Sequence, residues 1–148
     1  MSCCYACPQQ GTVQVVEKCG AFSYVAQPGC HLLNCLLGES VAGTVSLRTQ
    51  MLTVACETKT FYNVFVILRV AVQYAVIQEK VFESFYKLSN PTSQIEAYVY
   101  DVVRSSVPKI KLDDVFTTKD EISANIKREL TESMSDYGFY IQATRTLT

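Results

Sequence analysis

The apolar pattern of this chain changes period near Ile77. From about Thr44 to Tyr74 apolar residues recur at every second position, and from about Ile77 to Met134 they recur at intervals of three and four. A period of two suits a strand with one buried face, and a period near 3.6 suits a helix laid on a core. The chain is therefore expected to build a mostly antiparallel sheet from its N-terminal half and cover it with amphipathic helices from its C-terminal half, an α+β fold.

In the first half, Thr12 to Glu17 is a β-branched run, and Gln27-Pro28-Gly29 marks a turn because Pro presets φ and Gly accepts positive φ. From Thr44, the alternation puts Val45, Leu47, Met51 and Ala55 on one face and Thr44, Ser46, Arg48 and Gln50 on the other. After a polar connection from Glu57 to Asn63, a second run lines up Val64, Val66, Leu68, Val70, Val72 and Tyr74, with Arg69 and Gln73 opposite. The two runs are expected to pair as an antiparallel hairpin.

The second half predicts three helices. Ile77, Val81, Phe82, Phe85 and Leu88 share one face of the first, and Ile95, Val99, Val102 and Val103 share one face of the second. Thr118 followed by Glu121 has the spacing of a capping box and announces the third, whose inward residues are Ile122, Ile126, Leu130 and Met134. Asp113-Asp114 is placed near the start of that helix, where negative charge suits the dipole. Gly138 supplies a left-handed stop, and Phe139 to Thr148 return to strand composition.

Charge follows the same division, with seven Asp, Glu, Lys or Arg residues in positions 1 to 78 and twenty in 79 to 148. The helix residues Lys80, Glu83, Lys87, Arg104, Lys127, Arg128 and Glu132 read as solvated faces. The net charge of -1 leaves no basic stripe for a nucleic acid. The longest apolar stretch, Val64 to Ile77, is shorter than the roughly 20 residues of a membrane-spanning helix and is interrupted by Arg69 and Gln73. Residues 1 to 11 have neither the basic start nor the apolar block of a secretory signal. They are read as a flexible cysteine-containing leader, and 12–148 as a single domain.

Several blocks carry a family resemblance: Gln27-Pro28-Gly29-Cys30-His31, Cys56-Glu57-Thr58-Lys59-Thr60 through Asn63-Val64-Phe65-Val66, and Phe85-Tyr86-Lys87-Leu88-Ser89-Asn90. Ser93-Gln94-Ile95 with Ala97-Tyr98-Val99, Ser106-Val107-Pro108-Lys109 and Leu112-Asp113-Asp114 extend it in the same order. Together they resemble the plant hypersensitive-induced response proteins, of the stomatin/prohibitin/flotillin (SPFH, band 7) group. The resemblance implies a non-enzymatic scaffold without cofactors, lipid-anchored at the cytoplasmic face of the plasma membrane. It further implies oligomers in membrane microdomains, a role in plant defence and hypersensitive cell death, and immune receptors or kinases among the partners. Family members continue into a C-terminal coiled-coil region that is absent here, and Gln142 to Thr146 replace an apolar strand, so the resemblance implies a short form.

The seven cysteines stand at 3, 4, 7, 19, 30, 35 and 56, an odd number without an export signal, which favours reduced thiols over a disulfide framework. Cys3, Cys4 and Cys7 cluster where chain ends are accessible to acyltransferases and are the candidate S-acylation sites. The family's myristoylated glycine at position 2 is replaced by Ser2. One fatty chain gives a partition constant of only ~10⁴ M⁻¹, so stable anchoring needs at least two acylated cysteines; Cys7 matches the family cysteine best in position, and Cys3 and Cys4 are the candidates for the second chain. Unmodified, the protein would be cytosolic.

Other constellations are weaker. Cys30, His31, Cys35 and Cys56 offer soft metal ligands, but no Cys-x2-Cys pair repeats, and neighbours on a strand point to opposite faces. That alternation also separates Cys30 from His31 as a nucleophile and base. Cys4-Tyr5-Ala6-Cys7 lacks the strand-then-helix setting of a redox motif. His31 reads as a hydrogen-bonded structural residue. Glu57, Asp113 and Asp114 are not spaced as a catalytic pair, and neither a phosphate-binding glycine loop nor a nucleophile elbow occurs. Of the nine tyrosines, Tyr98 and Tyr100 stand about 200° apart on a helix, which aims one at the core and one at a partner. A second function class stays open: a soluble, truncated binding module that pairs with full-length family members.

Overall fold

Eight strands and four α-helices occupy the described residues 5–147 of the computed structural model. In chain order they are β1 (Tyr5–Ala6), β2 (Thr12–Lys18), β3 (Ala21–Ala26), β4 (His31–Leu32), β5 (Glu39–Ser46), β6 (Gln50–Lys59), β7 (Phe65–Val76), α1 (Val81–Tyr86), α2 (Pro91–Ser106), α3 (Leu112–Thr117), α4 (Lys119–Ser135) and β8 (Phe139–Leu147). The strands form three antiparallel sheets, ordered β1-β4, β3-β2-β5 and β6-β7-β8. The α+β expectation holds.

The main core lies between the sheet β6-β7-β8 and the helices α2 and α4. Strand β7 buries Leu68, Val70, Val72 and Tyr74 at alternate positions, as its period-2 sequence requires. Ile95, Val99 and Val103 of α2 and Ile122, Ile126, Leu130 and Met134 of α4 meet them. The spacing of four in each helix holds these side chains in one stripe. Each such side chain removed from water contributes about 1.5–3 kcal/mol. Helix α2 begins where Asn90 accepts a 3.4 Å hydrogen bond from the Ser93 amide, with Pro91 following at a position that needs no donor.

The sheet β3-β2-β5 is covered on both faces. Val13 and Val15 of β2 pack with Val81 of α1, while Val16, one residue on and therefore on the opposite face, packs with Ala6, Ala26 and Leu33. Val76, at the end of β7, touches both the main core and the Val13-Val15 cluster. Gly43 on β5 permits this packing, since a Cβ there would stand 2.6 Å from Cε2 of Phe85.

Four expectations are corrected. The run from Thr44 is two strands in different sheets, broken at residues 47–49, and the inward face changes across the break. Leu52, Val54 and Cys56 pack on the core, whereas Met51 and Ala55 are exposed, Met51 at 67%. The leader is not free of structure throughout, because Tyr5–Ala6 pairs with β4 and Ala6 is buried. The first helix is shorter than its pattern: Gln78–Lys80 is a 3-10 turn, α1 starts at Val81, and Phe82 meets Phe22 edge-on at 5.0 Å outside the core. The capping box does not form. A separate helix, α3, carries Asp113 and Asp114 in its first turn and gives way at Thr118, whose hydroxyl donates back to the Asp114 carbonyl at 2.6 Å.

Gly138 has the expected left-handed φ, 81°, and leads into β8. The polar residues of β8 still pair with β7, because a ladder is made by backbone groups. Ser123 of α4 serves Thr146 there, with its hydroxyl 2.8 Å from Oγ1 and accepting the Thr146 amide.

Candidate acylation site

Cys7 directly follows β1. Tyr5 lies opposite Leu32 and Ala6 opposite His31, and beyond the strands the Gly29 amide donates to the Pro8 carbonyl at 3.4 Å. The same register brings Cys7 opposite Cys30, and their Sγ atoms stand 2.9 Å apart. Both thiols are exposed and unbridged. The hydrogen bond to Cys30, then local desolvation, then the charge of a Cys30 thiolate push the Cys7 thiol above its ordinary value.

Alternation decides what accompanies Cys7. Ala6 points inward, so Tyr5 and Cys7 share the outer face with Leu32 and Cys30 across from them. Tyr5 is 63% and Leu32 76% exposed, and Leu36, in the next turn, is almost wholly in water. An exposed thiol is thus set among exposed apolar side chains. Cys3 and Cys4, the other two acylation candidates, lie outside the described residues.

The other sequence candidates do not converge. His31 Nε2 is 2.8 Å from the Gln27 carbonyl, the bond of a structural histidine. Cys35 begins a 3-10 turn, while Cys56 is buried in the main core, where burial, and then Glu96, raise its thiol pKa. Among the described residues no three His, Cys, Asp or Glu side chains gather as a metal-sized group. Glu57 lies on the exposed face of β6, and Asp113 and Asp114 lie in the first turn of α3. Tyr98 packs partly on the main core, and the Tyr100 hydroxyl donates to the Ala55 carbonyl at 2.9 Å.

An open groove of about 540 Å³ lies between α2 and α4, lined in part by Asp101, Arg128, Glu129 and serines. Arg128 and Glu129 form a 3.8 Å surface ion pair there, a geometry worth about 0–1 kcal/mol. Of the charged helix residues, Lys80 donates to the Ser135 carbonyl at 3.2 Å and Glu83 is half-buried; Lys87, Arg104, Lys127 and Glu132 are exposed. No described helix is long and apolar enough to cross a membrane.

Two features of the site escaped the sequence reading: Cys30 as the neighbour of Cys7, and the apolar rim of Tyr5, Leu32 and Leu36. Only the pairing of β1 with β4 reveals them.

The chain is 45% identical to hypersensitive-induced response protein 4 of Arabidopsis thaliana over 136 residues, which is 92% of this chain and 47% of that protein. It spans about half the length of that relative. With residues 9–148 also matching the family model for the SPFH domain / Band 7 family, the chain belongs to that family.

Proposed function

We propose that this protein is a non-enzymatic scaffold of membrane microdomains, anchored at the cytoplasmic face of the plasma membrane by acyl chains on Cys7 and on Cys3 or Cys4. Residues 12–148 act as one body in this reading, assembling with copies of itself and with other family members. The similarity to a hypersensitive-induced response protein supports a role in plant defence and hypersensitive cell death; immune receptors or kinases are the partners proposed for that role.

The observation that carries the anchoring is the outward face shared by Cys7, Tyr5 and Leu32. A thioester at Cys7 would enter the bilayer where a tyrosine and a leucine already favour the interface. The test is the intact mass of protein isolated from its native membrane, before and after hydroxylamine, which cleaves thioesters. Loss of two fatty-acyl masses is expected. A triple variant with Cys3, Cys4 and Cys7 changed to Ser that pellets with membranes as fully as the wild type would overturn the anchor.

A second reading is a soluble binding module that pairs with longer family members. The open face of β6 and β7 favours it, since Met51, Phe65 and Ile67 are each at least 60% exposed. Co-purification with a full-length relative, unchanged by the cysteine substitutions, is the result that selects this reading.

A further inference from the structure

We infer that Cys7 and Cys30 form a reversible disulfide site, closed by exchange with a low-molecular-weight disulfide of the glutathione type. The two residues are 23 positions apart in sequence, and the antiparallel register of β1 and β4, continued by the bond from Gly29 to Pro8, sets them face to face. Cross-strand neighbours have Cα atoms about 4.5–5.5 Å apart, inside the range of about 4.4–6.8 Å that a disulfide spans. The sulfurs are already 2.9 Å apart, and a small rotation about either Cα–Cβ bond brings them to the bonded length of about 2.05 Å. Both are exposed, so reagent can reach them and leave.

The chemistry balances as two exchanges. One cysteine, as thiolate, attacks a sulfur of glutathione disulfide, forming a mixed disulfide and releasing one glutathione thiolate. The second cysteine, also as thiolate, attacks the protein sulfur of that mixed disulfide and releases the other glutathione. The protein gives up two protons and two electrons, and glutathione disulfide is reduced to two thiols. An exposed disulfide of this kind is readily reopened by a reducing pool, as befits a chain in which Cys19 and Cys56 are also unbridged.

The consequence for anchoring rests on the reading of Cys7 as an acylated residue. A sulfur held in a disulfide has no thiol to acylate, so disulfide and thioester exclude each other at Cys7. Membrane attachment then follows the redox state of the compartment.

The test uses the full, unacylated chain, so its result is independent of whether thioesters form in cells. The protein is equilibrated with defined mixtures of reduced and oxidised glutathione, quenched in acid, blocked with N-ethylmaleimide and mapped by peptide mass. Expected is a Cys7–Cys30 linked peptide lighter by two hydrogens and reversed by dithiothreitol, with Cys19 still carrying maleimide. Cys7→Ser and Cys30→Ser should each lose the linked peptide and hold a glutathione adduct on the remaining partner. A wild type that accumulates the same adducts as the single variants, or that links Cys7 to Cys3 or Cys4 instead, would overturn the inference.

Discussion

Gly138 and Gly20 have nearly the same left-handed φ, 81° and 83°, yet alanine should be tolerated very differently at the two. At Gly20 an added Cβ meets nothing within 4 Å. The cost is the left-handed backbone, about 1–2 kcal/mol for an L-residue, offset by about 0.4–1 kcal/mol because alanine restricts the unfolded chain. A net loss of roughly 0–1.5 kcal/mol follows for Gly20→Ala. At Gly138 the same Cβ would stand 2.5 Å from the Lys80 carbonyl oxygen and 2.9 Å from Lys80 Cβ. The nearer atom is backbone and cannot swing aside. Overpacking adds about 1–3 kcal/mol, and the 2.8 Å bond from the Ile77 amide to the Gly138 carbonyl lies in the same junction. Gly138→Ala should therefore cost about 2–4 kcal/mol, a large part of a typical 5–15 kcal/mol stability. Urea unfolding followed by circular dichroism reads this as a midpoint lowered by about 1–2 M for Gly138→Ala and by under about 0.8 M for Gly20→Ala, with m near 2 kcal/mol/M. Equal midpoints for the two variants would refute the steric argument.

Three further outcomes are expected. Ile126→Ala empties a fully buried position between α4 and the sheet and should cost about 2–5 kcal/mol in a thermal or urea melt; a loss below about 1 kcal/mol would contradict the packing described. Tyr86 donates a hydrogen bond to Glu17, and desolvation, then that bond and the Glu17 charge, push its phenol up to about 12. Because the folded value exceeds the unfolded one of about 10, the linked stability is complete below pH ~10 and is lost as pH rises toward 12. Tyr86→Phe should remove this part of the alkaline stability decline, and an unchanged stability-versus-pH curve would count against the pairing. Finally, buried Cys56 should resist iodoacetamide in the native protein while Cys7, Cys19 and Cys30 react, as peptide mapping would show; labelling of Cys56 at the rate of Cys19 would contradict its place in the core.

The sequence was most legible where one face alone is buried. Strand β7 and helices α2 and α4 each pack one side on a single core, so their spacing carries the structure directly. Met51 and Ala55 misled because a uniform alternation says nothing about a change of sheet, and Leu47 to Thr49 contain neither proline nor glycine to mark it. Thr118 has the residue types of a cap, but the preceding turn, α3, claims its hydroxyl first. At the candidate site, Cys7 stands out by its cluster with Cys3 and Cys4. Its neighbour Cys30 does not, since a two-residue strand pair joining segments 23 positions apart leaves no periodic trace.

The interruption after Ser46 also sets how the body can assemble. Val45 of β5 and Leu47 just beyond it pack toward α1, whereas from Leu52 the even-numbered side chains of β6 pack toward α2 and α4. Laying 39–59 down as one unbroken ribbon would send one of these sets into water, which disfavours fusion of the two sheets. Deleting Arg48 would bring the two halves into step, giving a fused, overlong hairpin its first chance to compete with the native pairing.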